Sequence, residues 1–290
     1  MADPADVSTA PKKRNPRLAA GRARALGVPT RGTTNPNRLR RVDRWITGTR
    51  RPARALTDAA EPVVVDLGYG AAPVTTVELS TRLRALRPDA RVVGLELDTE
   101  RVAAGKRVAA PPELEFRHGG FELAGLAAGI AGHRGPALVR ALNVLRQYTE
   151  PEAWTTWREL SARLAPDGLL VEGTCDEIGR RCCWVALDRG GPRTFTLSCL
   201  PADIRQPSDL AERLPKTLIH RNVPGEPVHD LLTALDECWA HAAGHAPFGP
   251  RARWVRTAEL FAARGWPVRD GRRRWRLGEL TVDWRAVAPV

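Results

Sequence analysis

Long apolar runs are missing from this chain of 290 residues: no stretch of about 18 apolar residues occurs, and residues 1–17 hold no apolar signal-peptide core. These absences predict a chain that neither crosses a membrane nor is exported. Cysteine is scarce: Cys175, Cys182, Cys183, Cys199 and Cys238 are odd in number and show no CxxC spacing. That pattern predicts reduced thiols in the cytoplasm and no metal site. Lysine is almost absent, 4 residues against 41 arginines. Such a skew suggests GC-rich coding, so an arginine is not functional merely by being there.

Charge of one sign is concentrated at one end. Residues 1–54 carry 14 Lys and Arg against Asp3, Asp6 and Asp43, a net of +11, while the other 236 residues are within one charge of neutral. Coding bias does not explain that placement. Residues 1–30, rich in Ala, Pro and Arg without a period, are predicted to form a disordered basic arm. Such an arm suits a polyanion such as RNA, and equally suits a solvated tail.

Beyond the arm the chain is patterned. Asn35 and Pro36 read as the N-cap and first position of a helix whose Leu39, Val42 and Ile46 share a face. Its Arg38, Arg41 and Arg44 point elsewhere, toward solvent or substrate. Strand signals at 62–67, 91–97, 113–117, 137–142 and 168–173 alternate with helical patterns at 74–87, 99–109, 121–131 and 151–164. This alternation predicts an α/β fold with a parallel sheet covered on both faces. After the fifth strand it breaks: 182–187 and 194–199 read as a hairpin, a helix comes next near 229–243, and 256–264 reads as a last crossover helix. RRRWRLGELTVDW then reads as a hairpin closing the sheet edge. Residues 174–255 are expected to be an insertion capping the substrate site.

The most informative segment is VVVDLGYGAAP at 63–73, followed by RVVGLELD with Glu96 near its end. A buried strand that stops at an acid and turns through glycines, with a carboxylate closing the next strand, presents a nucleotide-like ligand. The layout resembles the class I S-adenosylmethionine-dependent methyltransferases, over roughly residues 35–175 and 256–284. It fits a GxGxxG dehydrogenase less well, because position 73 is Pro and the acid precedes the glycines directly. The resemblance implies a Rossmann-like, mostly parallel seven-stranded sheet with helices on both faces, an antiparallel C-terminal hairpin and an inserted α/β segment. It implies S-adenosyl-L-methionine as cofactor and methyl transfer as activity.

Carried over residue by residue, the resemblance places Asp66, Gly68, Tyr69, Gly70, Glu96, Phe121 and Asn143 at the cofactor, with Glu96 accepting from the ribose hydroxyls. At the third strand the family's adenine-binding acid is missing from Gly120 or displaced to Glu122, and Phe121 stacks on adenine or starts a helix in the core. Asn143 sits where the fourth motif approaches the methyl group, without the NPPY pattern of base-amino enzymes. ALNVLRQY with LAPDGLLVEGT has a local likeness to chemotaxis-receptor methyltransferases. Thr174-Cys175 resembles the nucleophile segment of RNA 5-methylcytosine enzymes, though the fourth-strand loop lacks its Pro-Cys partner. The catalytic candidates are Asn143, Cys175 and His118, with Glu172, Asp176 and His220 placed near enough to serve as bases. Arg38, Arg41 and Arg44 are the substrate-binding candidates. The acceptor is left between RNA, a small molecule, and no acceptor at all in a non-catalytic interaction protein.

Overall fold

The computed structural model describes residues 34–123, 126 and 134–290. The basic arm at 1–30 and most of the helix anticipated at 121–131 lie outside those residues; 121–122 form a turn.

The β-branched runs become strands β1 (Val63–Leu67), β2 (Arg91–Glu96), β3 (Leu114–His118), β4 (Leu138–Leu142) and β5 (Leu169–Cys175). They pair in parallel in the order β3-β2-β1-β4-β5. Helices α1 (Arg40–Gly48) and α2 (Arg50–Thr57) precede β1, while α3 (Val74–Arg84), α4 (Thr99–Lys106) and α5 (Glu150–Arg163) lie between strands. α5 starts at a capping box: Thr149 Oγ1 accepts from the Glu152 amide, and the Glu152 carboxylate accepts from the Thr149 amide. The helix expected from Asn35 begins only at Arg40. Asn37 adopts a left-handed φ of 61°, which no helical turn starting at Pro36 accommodates.

The sheet has eight strands among the described residues, not the seven expected. β6 (Arg181–Asp188) and β7 (Gly191–Cys199), joined through Arg189 and Gly190, come directly after β5 and pair antiparallel beside it. β8 (Glu279–Asp283) adds antiparallel to β7 at the edge. The hairpin read at 182–199 thus extends the sheet, and of the C-terminal hairpin only β8 joins it. The other arm, RRRWR, is the short helix Arg272–Trp275, and Val268 before it makes a single bridge to Val282. Between β7 and β8 lie α6 (Lys216–Ile219), α7 (Pro227–His241), α8 (Pro250–Ala263) and α9 (Arg272–Trp275).

Strand alternation fills two cores. Val63, Val65, Leu67, Val139, Leu170, Cys183 and Val185 face a core with Trp157 of α5, Leu231 and Leu235 of α7, and Trp254 and Phe261 of α8. Val64, Val92, Leu138, Val171 and Trp184 face the other, with Val42, Trp45 and Ile46 of α1, Leu56 of α2, and Leu79 and Leu83 of α3. A strand whose successive side chains are all buried needs a helical layer on each side.

Cys175 and Cys182, expected as reduced thiols, are directly opposed across β5 and β6 with their sulfur atoms in contact. Their opposition depends on the hairpin returning in register, which the seven-residue spacing does not reveal.

Candidate cofactor and substrate cleft

In a parallel sheet the carboxyl ends of strands expose backbone groups to one rim, and connections leave in opposite directions where the strand order reverses. Here that switch point lies between β1 and β4. A cleft of about 500 Å³ opens there, lined by Gly68, Tyr69 and Gly70 after β1, Leu142 and Asn143 after β4, and Thr34, Arg38, Arg146, Glu177 and Arg213 around its rim.

The turn after β1 depends on its glycines. Gly68 and Gly70 have φ of 65° and 86°, a region that costs an L side chain energy. The Gly68 amide donates to the Leu95 carbonyl at 2.8 Å, tying the turn to β2. The Gly70 amide donates to Glu96 Oε2 at 3.0 Å, and the Leu97 amide to Oε1 at 2.9 Å. Glu96 is therefore fixed behind the turn, 2 % exposed, with Arg101 at 3.6 Å. Oε1 also takes the Asp98 amide at 3.5 Å, so Oε2, with one backbone bond, keeps a lone pair to accept another.

Asp66, at the floor of the cleft, has both carboxylate oxygens engaged within the protein. Both its oxygens take bonds from Arg140 (2.9 and 2.7 Å), and Oδ2 also takes the Thr76 hydroxyl at 2.7 Å. Arg140 bonds in addition to Asp43, which Arg82 reaches at 2.6 Å. Burial opposes the Arg140 charge, but Asp43 and Asp66 more than offset it and raise its pKa. This ion network anchors α1 and α3 on β1 and β4, and Asp66 positions the glycine turn from beneath.

The other expected residues separate. Tyr69 turns its ring onto Phe116, edge-on at 5.3 Å, and its hydroxyl donates to the Arg101 carbonyl at 3.0 Å. Phe121 is buried against Tyr148 at 5.4 Å in the core. Next to it, Glu122 Oε1 accepts from the Gly120 amide at 2.8 Å, while Oε2 is buried with no hydrogen bond among the described residues. Asn143, at φ 64°, locks β4 to β5: its amide donates to the Gly173 carbonyl and its Oδ1 accepts from the Cys175 amide. Asn is one of the few residues that tolerates this conformation.

Of the three arginines assigned to substrate, Arg38 lines the cleft, donating to the carbonyls of Asp176 (2.8 Å) and Cys175 (3.1 Å). Arg41 instead donates to the carbonyls of Gly179 and Leu277, and Arg44 pairs with buried Glu279 at 2.8 Å. Both clamp α1 to the end of the sheet.

The catalytic candidates divide likewise. Asn143 is on the cleft. Cys175 is buried, with its sulfur against Cys182 and not among the cleft-lining residues. His118 is exposed at the end of β3, away from the cleft-lining residues. Asp176 accepts from the amides of Ile178, Arg180 and Arg181 and shapes a turn; Glu172 bonds Trp157 in the core; His220 contacts Lys216 at the surface. Among the described residues no group of three His, Cys, Asp or Glu is placed to hold a metal ion, and no helix is long and apolar enough to cross a membrane.

Sequence reasoning missed Arg213 altogether. It ends the 3-10 stretch Pro207–Arg213, in a polar segment without a period, and only the tertiary fold brings it to the rim. Thr34 reaches the site through its hydroxyl, which donates to the Tyr69 carbonyl at 3.2 Å.

No protein-family model matches the chain, and no curated protein matches its sequence. Solved structures similar to part of it include human N-acetylserotonin methyltransferase in complex with SAM (17% identity, TM-score 0.30, 44% of this chain and 34% of that one). Another is the plantazolicin methyltransferase BpumL in complex with SAH (11% identity, TM-score 0.33, 48% of each). A pericyclic reaction enzyme is similar over 42% of this chain and 30% of its own, at 18% identity and a TM-score of 0.31. The chain thus spans about half or less of the length of these structures. The functional reading rests on the cleft itself.

Proposed function

We propose that the chain is a methyltransferase that binds S-adenosyl-L-methionine at the β1–β4 switch point. The observation that carries this reading is the pairing of a left-handed glycine turn with a buried carboxylate hydrogen-bonded to it, Gly70 on Glu96. Gly68 and Gly70 let backbone approach the methionine portion, where any Cβ would intrude. Glu96, an acceptor-only group, suits the ribose hydroxyls. Glu122 Oε2, buried without a partner among the described residues, suits the adenine amino group and fills the role of the acid absent at Gly120. These residues fit the cofactor. When bound it supplies a sulfonium methyl with a neutral thioether leaving group, so the protein's task is to align an acceptor and exclude water. Asn143 is the polar group on the cleft best placed to orient that acceptor.

A small-molecule acceptor is favoured, because the cleft is about 500 Å³ and Glu177 and Arg213 of the 174–255 segment line it. RNA is the second reading, motivated by the +11 charge of residues 1–54. Calorimetry with S-adenosylhomocysteine tests the first claim: micromolar binding is expected, weakened at least about thirtyfold in Glu96→Ala. No binding to the wild type, or an unaffected Glu96→Ala, would overturn it. Deleting residues 1–30 separates the acceptors, since only an RNA enzyme loses salt-sensitive RNA binding. Methyl transfer to a panel of acceptors separates an enzyme from a non-catalytic relative.

A further inference from the structure

The outer wall of the cleft gathers three arginines from three distant segments. Arg38 precedes α1, Arg146 lies in the 3-10 turn Leu145–Gln147 after β4, and Arg213 ends the stretch Pro207–Arg213. Other arginines turned inward pair closely with buried carboxylates, Arg140 with Asp43 and Asp66, and Arg44 and Arg274 with Glu279. On the cleft wall the carboxylates that Arg213 meets are solvent-exposed. Arg213 reaches Glu177 only at 3.8 Å and Glu212 at 3.4 Å, both of them exposed. Its Nε is buried and lies 3.4 Å from Glu212 Oε1 without the geometry of a hydrogen bond. Arg146 finds the Glu212 carbonyl at 3.4 Å. Arg38 is oriented by carbonyl oxygens. Asp66, also on the cleft, is already neutralised by Arg140.

Three guanidinium groups held together in this way repel one another. Burial depresses the pKa of Arg38 and of Arg146, and the neighbouring Arg213 depresses both further, against the opposing pull of Glu177. An oxyanion relieves both the repulsion and the unsatisfied donor, and the planar fork of arginine matches a carboxylate or phosphate with two parallel bonds.

Resting on the methyl-donor reading of the cleft, we infer that the acceptor is a small molecule bearing a carboxylate or phosphate, held by Arg146 and Arg213 with Arg38 completing the wall. The acceptor's charge is then the recognised handle, and its nucleophile is turned inward past Asn143 toward the glycine turn.

The test is titration of the full chain, saturated with S-adenosylhomocysteine, with inorganic phosphate and separately with citrate, at low and physiological salt. The inference expects one or both anions to bind, more weakly at higher salt, with the responding anion distinguishing phosphate from carboxylate recognition. Arg146→Gln/Arg213→Gln should weaken that binding at least about tenfold while S-adenosylhomocysteine affinity moves less than about threefold. Arg213→Lys, which keeps the charge without the fork, should fall between and guards against a misfolded double variant. Failure of both anions to bind the complex overturns the inference. So does a double variant that loses S-adenosylhomocysteine instead, since the arginines would then hold the donor's own carboxylate. A wild type that binds no S-adenosylhomocysteine sinks the donor reading, and this acceptor with it; anion titration of the ligand-free chain then shows whether the arginines form an anion site of another kind.

Discussion

Glu172 lies mid-strand in β5 with its side chain under α5. Its Oε2 accepts from Trp157 Nε1 at 3.1 Å, and its Oε1 is buried without a hydrogen bond among the described residues. Trp157 in turn packs edge-on to Trp154 at 5.0 Å and Trp284 at 5.7 Å. Burial in this aromatic setting pushes the carboxyl from its ordinary 4.5 up to about 8, against the smaller opposite effect of the Trp157 bond. The folded chain therefore keeps a proton at neutral pH that the unfolded chain releases. The stability tied to that proton is complete below pH 4.5 and is lost as pH rises through about 8. Across the window the loss is about 1.4 kcal/mol per pH unit, so moving from about pH 5 to about pH 7.5 costs the wild type about 3 kcal/mol from this group. Glu172→Gln removes the titration while nearly preserving shape. Denaturant unfolding of both proteins at the two pH values gives the difference between them, in which other titrating groups cancel. The variant should gain about 3 kcal/mol on the wild type between the two. A difference that stays flat to within about 1 kcal/mol would refute a buried, neutral Glu172.

Two further outcomes rest on the geometry of the first strand. Arg140→Met leaves Asp43 and Asp66 buried without their shared cation and should cost about 3–5 kcal/mol in denaturant unfolding; a loss under about 1 kcal/mol would show that the network contributes little. Gly68→Ala forces a Cβ into a left-handed φ of 65° and should cost about 1–2 kcal/mol, together with most of the S-adenosylhomocysteine affinity measured by calorimetry. Unchanged affinity in that variant would place the ligand away from the turn.

Much of this molecule is written in local pattern. The valine runs at 63–65 and 92–93, each buried on both faces, announce parallel strands under two helical layers, and the glycines after Asp66 announce the turn that opens the cleft. Thr149 with Glu152 marks the start of α5 within four residues of sequence. Local pattern also suggested the wrong start for α1, because Asn35-Pro36 is a good cap in isolation. The left-handed Asn37 is held by Glu78 and Arg82 of α3, about forty residues later in the chain.

The identity of the strands, the two-sided burial of the sheet and the residues of the glycine turn with Glu96 are therefore legible before folding. These come from periods of two and 3.6 residues, which any segment carries within itself. Tertiary structure alone decided that 181–199 enters the sheet beside β5, that Asp66 is consumed by Arg140, and that Arg41 and Arg44 clamp a helix while Arg146 and Arg213 face the cleft. A hairpin pattern states that two strands pair, not which sheet edge they join. An arginine likewise carries no local sign of whether a carboxylate, a carbonyl or open cleft will meet it, because its partner arrives from a distant part of the chain when the layers close.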